Sequence, residues 1–373
     1  MNVPLFQADI TNKEIKEVLE VLRSQKLSIG PKVKEFEEKL AGFAGVKYAV
    51  AVNSGTSALH LIIRALGIKD GDEVITSPFS FIASANCILF ERAKPVFVDI
   101  KGDTLNINPE LIQRRITQKT KAILAPDMFA HPADWDALSK IAKKHNLFLI
   151  EDSAESVGSE YRGKRCGNFG DASIFAFSPN KQITIGEGGM VLTDNEEIAN
   201  FCRSSASQGR KIEGGKWLEH IRLGYNYRLN EMSCAVGLSQ LRRIKDTMRK
   251  RQKAASLYNK KLKYIKDIEI PYVAKDVKLH WWIYVIKLIG NAAGKRDIVM
   301  EKLKERGIES RDYYKSIHLQ PFYKEILGFK EGDFPVCEDI SKRTIALPFF
   351  NDLRENQIDF VVRQLKAVLN IIK

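Results

Sequence analysis

The sequence has few of the residues that would place it in a special structural class. Its five cysteines are scattered and form no CxxC pair, so neither a disulfide framework nor a zinc knuckle is indicated. Only 24 glycines and 12 prolines occur among 373 residues, which excludes collagen-like and low-complexity chains. No apolar run approaches the roughly 20 residues that span a bilayer. The first residues, MNVPLFQADI, lack the basic flank and apolar core of a signal peptide, which predicts a cytoplasmic protein.

Two common ligand motifs are also missing. The six histidines are dispersed and no HExxH occurs, so no metal site is predicted. The glycine cluster at 186–189, GEGG, lacks the lysine and serine of a P-loop and does not match GxGxxG. A nucleotide loop of either kind is therefore not predicted.

The chain does have a large core-forming fraction and a surplus of positive charge. Hydrophobic residues make up 44% and the formal net charge is +13. Such a surplus attracts anionic partners, either nucleic acid or nucleotide-linked metabolites. The densest basic stretch, from Arg242 to Lys253, has a helical pattern with Leu241, Ile244 and Met248 on one face. Because no zinc-finger or RNA-binding pattern accompanies it, a solvated helix face is the preferred interpretation and nucleic-acid binding is not predicted.

The hydrophobic periodicity predicts an α/β protein. Thr11 and Glu14 have capping-box spacing before an amphipathic opening helix. From Tyr48, short β-rich runs alternate with helical ones, which indicates βαβ units and a largely parallel sheet covered by helices. Two strands near 172–177 and 189–193 lack a full helix between them, so part of the sheet is expected to be antiparallel. We predict a large domain over 1–245, ending after a helix that begins near Asn230, and a smaller α+β domain over 246–373.

Four groups of polar or aromatic residues directly follow predicted strands, where ligands collect in such sheets. These are residues 53–57 (NSGTS) before a helix, Asp152 at the end of LFLIED, Lys181 beside a glycine cluster, and Phe81 after EVIT. Each has an ordinary structural explanation when taken singly: a helix cap, a second cap, a surface lysine and a core ring. Together they are the parts that a pyridoxal phosphate enzyme requires. A lysine forms the Schiff base, an acid keeps the ring nitrogen protonated, a helix N-terminus takes the phosphate, and an aromatic ring stacks.

Over nearly its whole length the chain resembles the sugar-nucleotide aminotransferases of the DegT type. The resemblance lies in SGTSALHL (54–61), ITSPFSFIASAN (75–86), EDSAESVGSEYRGKRCGNFGDA (151–172), NKQITIGEGGM (180–190), LGYNYRLNEMSCAVGLSQL (223–241) and IHLQPFY (317–323). It implies the fold type I architecture of aspartate aminotransferase. In that architecture a large domain with a mainly parallel seven-stranded sheet is joined to a smaller C-terminal α+β domain.

The resemblance also implies the cofactor contacts. Lys181 would form the Schiff base with pyridoxal 5'-phosphate and then act as the general base, and Asp152 would pair with the ring nitrogen. Phe81 would stack on the ring. Gly55 and Thr56 would hold the phosphate.

Further contacts follow from the same resemblance. Asn226 would reach the phosphate from the neighbouring subunit, which makes a homodimer with shared active sites the catalytic unit. Glu155 would lie near the cofactor hydroxyl. Relatives commonly carry a serine for the phosphate five residues before the lysine, whereas this chain has Ala176. Ser178 is the candidate that replaces it, unless the phosphate depends more on the Thr56 loop.

The implied substrates are a keto sugar on a nucleoside diphosphate and L-glutamate, which leaves as 2-oxoglutarate. The ending GEGGM resembles the branch that aminates C4, and Lys181 argues against the dehydratase branch, which has histidine there. Arg228, His318 and the stretch 211–220 are candidates for the nucleotide-sugar site. Alternatively, Arg228 pairs with an acid such as Glu231, and His318 is a surface residue.

Three alternatives to this function stay open. The first is a C3-directed sugar aminotransferase, and the second is an enzyme of the same fold with other chemistry, such as a sugar dehydratase or an amino-acid transaminase. The third is a regulatory or nucleic-acid-binding protein on an inactive aminotransferase scaffold.

Overall fold

The structure, a computed structural model, describes residues 1–212, 216 and 218–372. Within these residues the chain forms thirteen α-helices and thirteen β-strands. The helices are α1 (Asn12–Ser24), α2 (Pro31–Ala44), α3 (Gly55–Ala65), α4 (Ala83–Phe90), α5 (Pro109–Ile112), α6 (Trp135–His145), α7 (Glu196–Ala206), α8 (Glu231–Arg242), α9 (Ile244–Leu262), α10 (Arg296–Glu305), α11 (Pro321–Leu327), α12 (Pro335–Ser341) and α13 (Glu355–Ile371). The strands are β1 (Tyr48–Val52), β2 (Glu73–Thr76), β3 (Lys94–Phe97), β4 (Thr120–Pro126), β5 (Phe148–Asp152), β6 (Glu160–Tyr161), β7 (Lys164–Arg165), β8 (Ala172–Ala176), β9 (Gly189–Thr193), β10 (Ile268–Glu269), β11 (Val277–Lys278), β12 (Tyr284–Leu288) and β13 (Thr344–Leu347).

A seven-stranded sheet in the order β1-β9-β8-β5-β4-β2-β3 forms the centre of the large domain. The pairs from β3 through β2, β4 and β5 to β8 are all parallel, whereas β9 runs antiparallel to both β8 and β1. The prediction of a mainly parallel sheet with one antiparallel part is therefore confirmed. Since β1, β2, β4, β5 and β8 point the same way, the loops that follow them lie at one edge of the sheet.

Helices cover both faces of this sheet, because successive strand residues point to opposite sides. Ile174 of β8 packs in a core with α3 and α4, whereas the next residue, Phe175, packs in a core with α2 and α8. Val191 and Met190 of β9 divide between the same two cores. Such strands read as continuous apolar runs in the sequence, as strands buried on both faces do.

A second core surrounds the antiparallel sheet β10-β12-β13. Tyr258 of α9, Val299 of α10 and Leu365 of α13 are each fully buried there. Val3, from the start of the chain, belongs to the same core, and β11 pairs with β6 of the large domain. Contacts thus connect the two sides of residue 245. The division of the chain into domains at that residue stays a prediction.

Both edges of the large sheet carry features that oppose the addition of another strand. At the β1 edge, Glu37 Oε1 accepts the N–H of Ala51 at 2.8 Å, and Arg203 Nη2 donates to the carbonyl of Ala49 at 3.0 Å. Glu37 and Arg203 also bond each other at 2.9 Å. At the other edge, β3 is four residues long and contains Pro95, which has no N–H.

The opening helix α1 has the predicted capping box between Thr11 and Glu14. Its apolar stripe faces outward, however, because Ile15, Leu19 and Leu22 are 44–51% exposed. The buried side contains Val21 and a charged group: the Glu14 carboxylate is 1% exposed and bonds Arg243 at 3.1 Å. None of the helices that the structure describes combines the length and the apolar character needed to cross a membrane.

The basic stretch is divided between two helices, α8 and α9, which meet at Arg243. Arg249 has a side chain that is 73% exposed, as a solvated helix face predicts. Arg251 is 3% exposed and donates to Asn351 Oδ1 and to the carbonyl of Trp282, both at 2.6 Å. The solvated interpretation is therefore wrong for Arg251, which bonds α9 to the segments around Trp282 and Asn351 inside the second domain.

Candidate active site

The loops after β1, β2, β5 and β8 surround a cavity of about 290 Å³. Seven of the ten predicted site residues line it, namely Gly55, Thr56, Phe81, Asp152, Glu155, Ser178 and Lys181. These seven span more than a hundred positions of the chain and come from four strand ends. The topology of the sheet, not their sequence spacing, brings them together.

The N-terminus of α3 forms one end of the cavity. Ser54 caps this helix, because its Oγ accepts the N–H of Ser57 at 3.0 Å. The space beside Gly55 is closed: a Cβ there would lie 2.8 Å from the Cβ of Ala176. Small residues thus let the backbone of the first helical turn face the cavity, where its free N–H groups favour an anion.

Asp152 is the last residue of β5 and lies on the cavity wall, 7% exposed. Its Oδ2 accepts the Ser84 hydroxyl at 2.6 Å and its Oδ1 accepts the N–H of Ala154 at 3.2 Å. Burial raises the pKa of Asp152, and these hydrogen bonds together with the charge of Lys181 offset only part of this rise. A carboxylate held in this way can stabilise a cationic N–H in the cavity.

Lys181 follows β8 in a loop that places its amine in the same cavity. Burial lowers the pKa of Lys181, and the negative charges of Glu155 and Asp152 offset only part of this lowering. The amine lies 3.7 Å from the centre of the Trp282 ring. A lysine in such a setting can serve as a nucleophile and as a proton carrier.

Glu155 is the second carboxyl group beside Lys181. Its Oε2 accepts the N–H of Phe129 at 2.8 Å, and its Oε1 accepts the Tyr314 hydroxyl at 2.7 Å. Burial raises the pKa of Glu155 to about 7, although the charge of Lys181 lowers it. Glu155 can therefore change its protonation state near neutral pH.

Three aromatic cavity residues, Trp282, Tyr313 and Tyr314, had no distinguishing signal in the sequence. Trp282 lies in the run WWIYVIKLI, whose periodicity indicates only a buried strand. The tyrosines follow α10 by several residues, in a loop with no motif. These three rings come close to Lys181 only because the second domain packs against the large one.

Two predicted residues, Asn226 and Arg228, lie outside the cavity. Asn226 is exposed, as a residue that serves a neighbouring subunit must be. Arg228 lines a separate groove of about 710 Å³ and donates to Gln208 Oε1 at 3.1 Å. The alternative pairing of Arg228 with Glu231 is wrong, since the Glu231 carboxylate accepts the backbone N–H groups of residues 30, 32 and 33.

His318 also lies away from the cavity. It is completely buried, with Nε2 3.0 Å from Glu338 Oε1 and its ring packed edge-on against Phe334. Burial lowers the pKa of His318, so the ring acts as a neutral core group. Both interpretations of His318, as a substrate ligand and as a surface residue, are corrected by this position. The other substrate candidate, the stretch 211–220, lies partly outside the described residues.

Directly behind Asp152, Glu151 and Asp127 form a buried carboxyl pair next to Cys166. The Ser153 hydroxyl lies 2.5 Å from Glu151 Oε1 and 3.1 Å from Asp127 Oδ2. The single proton of the Ser153 hydroxyl cannot bond both carboxylates. If Glu151 is protonated, it donates to Ser153 Oγ and Ser153 donates to Asp127, so every group has a partner. Burial raises the pKa of Glu151 well above its usual range, and the charge of Asp127 raises it further. Backbone N–H groups occupy the remaining Glu151 acceptors.

Glu151→Gln is therefore expected to become more stable relative to wild type as the pH rises. A carboxyl whose pKa is raised on folding stabilises the fold below its unfolded pKa of 4.5, and this stabilisation is lost as the pH rises through the folded value. Glutamine keeps the donor and acceptor of the protonated acid at every pH. Urea unfolding of both proteins at about pH 5, 7 and 9 measures the difference. A difference that does not change with pH would contradict the assignment of the proton to Glu151.

Comparisons with known proteins agree with this geometry. The model of the DegT/DnrJ/EryC1/StrS aminotransferase family matches residues 8–366. GDP-perosamine synthase of Escherichia coli O157:H7 is 36% identical over 364 residues, which cover 97% of this chain and 97% of that protein. The UDP-4-amino-4,6-dideoxy-N-acetyl-beta-L-altrosamine transaminase of Campylobacter jejuni is 34% identical and covers 98% of this chain and 97% of its own. The structure of Helicobacter pylori PseC, an aminotransferase involved in the biosynthesis of pseudoaminic acid, superposes with a TM-score of 0.94 at 32% identity and covers 100% of both chains.

Proposed function

Since the chain belongs to the DegT/DnrJ/EryC1/StrS aminotransferase family, we propose that it transfers the amino group of L-glutamate to C4 of a keto sugar on a nucleoside diphosphate. One observation carries the proposal: Lys181, Asp152 and the N-terminus of α3 line the same cavity. An amine, a carboxylate and an anion site in one cavity are the groups that pyridoxal phosphate needs.

The cavity fits this cofactor on chemical grounds. The first turn of α3, with Gly55 and Thr56, would hold the phosphate, and Ala176 packs tightly enough against Gly55 that only glycine fits there. Asp152 would hold a proton on the ring nitrogen, and Phe81, 58% exposed at the cavity rim, offers a face for the ring. When bound, pyridoxal phosphate supplies an aldehyde that bonds amines and a ring that accepts electrons.

The residues of the chain then carry the protons and orient the reactants. Lys181 takes and returns the proton that moves between the substrate carbon and nitrogen. Asp152, fixed by Ser84 and by the N–H of Ala154, keeps its partner nitrogen protonated. Glu155 lies near the cofactor hydroxyl in this proposal, and its hydrogen bond from Tyr314 fixes its orientation. Glutamate leaves as 2-oxoglutarate, and the keto sugar becomes an amino sugar.

Support for C4 comes from two sources. The first is the segment GEGGM, which resembles the branch that aminates C4 and has Glu187 and Gly188 on the cavity wall. The Campylobacter jejuni relative is named for a 4-amino-4,6-dideoxy sugar, and the Escherichia coli relative for GDP-perosamine. The net charge of +13 suits a nucleoside diphosphate, for which Arg228 is the candidate ligand.

Support for a homodimer with shared active sites comes from exposed residues. Asn226 faces solvent, outside the cavity of its own chain, so the phosphate contact proposed for it requires a second subunit. The outward stripe of α1 and Leu223, which is 70% exposed three residues before Asn226, offer apolar surface for that contact. Burying such surface is the main driving force of subunit association.

Ala176→Ser is expected to tighten binding of the cofactor phosphate. Because the Cβ of Ala176 lies against Gly55, a hydroxyl there would reach the first turn of α3 and add a donor to the phosphate. A hydrogen bond to a charged group corresponds to roughly a tenfold change in affinity. Ser178→Ala, which removes the other candidate hydroxyl on the cavity wall, should weaken binding by a similar factor. Titration of apo-protein with pyridoxal phosphate, followed by absorbance, measures both; unchanged affinities would assign the phosphate to the Thr56 loop alone.

The function is tested by mass spectrometry of products from a panel of 4-keto and 3-keto sugar nucleotides with glutamate. Amine at C4 supports the proposal, and amine at C3 would move it to the other sugar branch. Loss of water without amine would indicate a dehydratase. Titration of the same holo-protein with DNA at physiological salt tests the regulatory alternative, since binding there without turnover of any sugar would favour it.

A further inference from the structure

The amine of Lys181 lies against an aromatic ring instead of a carboxylate. Its Nζ is 3.7 Å from the centre of the Trp282 ring. Among the described residues, no carboxylate oxygen lies within 4.0 Å of this amine. A protonated amine over the face of an indole is attracted by the negative face of the ring, most strongly where water is excluded.

Trp282 is held firmly in this position. It is 1% exposed, and its indole N–H donates to the carbonyl of Asn180 at 3.0 Å. Its ring stacks on Tyr313, with centres 5.9 Å apart and planes 11° apart. The ring is thus bonded to the residue next to Lys181, although it comes from the segment before β12 in the second domain.

We propose that Trp282 is the positioning residue of Lys181: its ring holds the protonated amine whenever that amine is not bonded to the cofactor. This inference rests on the proposed function, in which Lys181 must be alternately free and bonded. A ring face attracts an ammonium group and attracts a neutral amine far less. Loss of the proton therefore releases Lys181 from Trp282, and uptake of a proton returns it to the same place.

Other groups also act on the charge of Lys181, and the ring must be separated from them. Besides Lys181, the titratable groups that line the cavity are Asp127, Asp152, Glu155, Glu187, Tyr313 and Tyr314. Asp152 and Glu155 favour the protonated amine, whereas burial opposes it. Substitution of Trp282 alone leaves all six of these groups in the chain, so a change in the acid dissociation constant of Lys181 can be assigned to the ring.

The test uses apo-protein, so that it does not depend on any activity. Lys181 is labelled with trace acetic anhydride across a range of pH, and mass spectrometry of its peptide gives its acid dissociation constant. In Trp282→Leu this constant is expected to rise roughly three- to thirtyfold, and in Trp282→Phe by less, because phenylalanine is the weaker cation binder. Trp281→Phe is the matched control: Trp281 is 4% exposed, but it packs in the second core and donates to Gln252 Oε1 at 3.1 Å.

A second series keeps the indole ring and changes its volume only slightly. The chain is grown with mono- and trifluorinated tryptophan, which weaken the negative face of the ring. The dissociation constant of Lys181 should rise stepwise with fluorination, and Trp282→Phe grown in the same medium should not respond. A constant that does not move with fluorination, or that moves equally in the Trp282→Phe background, would overturn the proposal. Failure of the proposed function would appear separately, as absence of amine product from unlabelled holo-protein.

Discussion

Lys181→Ala is expected to lose at least about 10³-fold of its turnover and all covalent attachment of cofactor, while folding normally. The amine is both the group that bonds an aldehyde and the group that carries the proton. No other lysine lines the cavity in the part of the chain that the structure describes, so none can take over either task. Turnover is measured by the 2-oxoglutarate released, and attachment by mass spectrometry after borohydride reduction.

Two further variants separate this loss from general effects. Lys181→Arg keeps a positive charge beside Trp282 but cannot replace the amine, so it should be equally inactive. Lys164→Ala removes an exposed lysine of the same domain and should behave as wild type. Turnover that persists in purified Lys181→Ala protein, with thermal unfolding unchanged, would contradict the role of Lys181.

Asp152→Asn is expected to bind the cofactor but to turn over roughly 10²- to 10³-fold more slowly. An amide has the shape of the carboxyl group but no charge, so the ring nitrogen would lose its proton and the ring would be a poor electron acceptor. The same reasoning applies to Asp152→Ala, which also removes the carboxylate acceptor of the Ser84 hydroxyl. Turnover and cofactor affinity, measured on the same preparation, separate slow chemistry from weak binding.

Neighbouring variants provide the controls for Asp152. Glu151→Gln changes the adjacent carboxyl group, which points away from the cavity into its own set of hydrogen bonds, and it should leave turnover unchanged at neutral pH. Ser84→Ala removes one donor to Asp152 and should give a smaller loss than Asp152→Asn. Near-normal turnover of Asp152→Asn would count against its assignment to the ring nitrogen.

The sequence predicts the cofactor end of the site well, for a simple reason. Asp152 ends a strand, Gly55 begins a helix after one, and Lys181 precedes a glycine cluster, so each lies where an α/β sheet collects ligands. Trp282 and Tyr314 lie more than a hundred residues later and reach Lys181 and Glu155 only through packing between domains. No local sequence pattern indicates these contacts between distant segments.

Burial is the other property that the sequence did not determine. His318 stands in a segment that favours a binding role, yet its partner Glu338 lies twenty positions away and encloses it. In α1, periodicity correctly predicts an apolar stripe, but it does not say what covers the stripe. Ile15 and Leu19 face outward because Glu14 and Arg243 occupy the inner side.

The ion pair of Glu37 and Arg203 has a consequence for the behaviour of the molecule at high concentration. An incoming peptide that extended the sheet at β1 would have to break this pair and strip water from two charges, since both side chains already bond the backbone of that strand. The pair therefore opposes fibril growth by strand addition at the β1 edge. The short strand β3, with Pro95, opposes it at the other edge of the sheet. The exposed apolar residues of α1 can therefore contact another molecule without making either edge of the sheet available for strand addition.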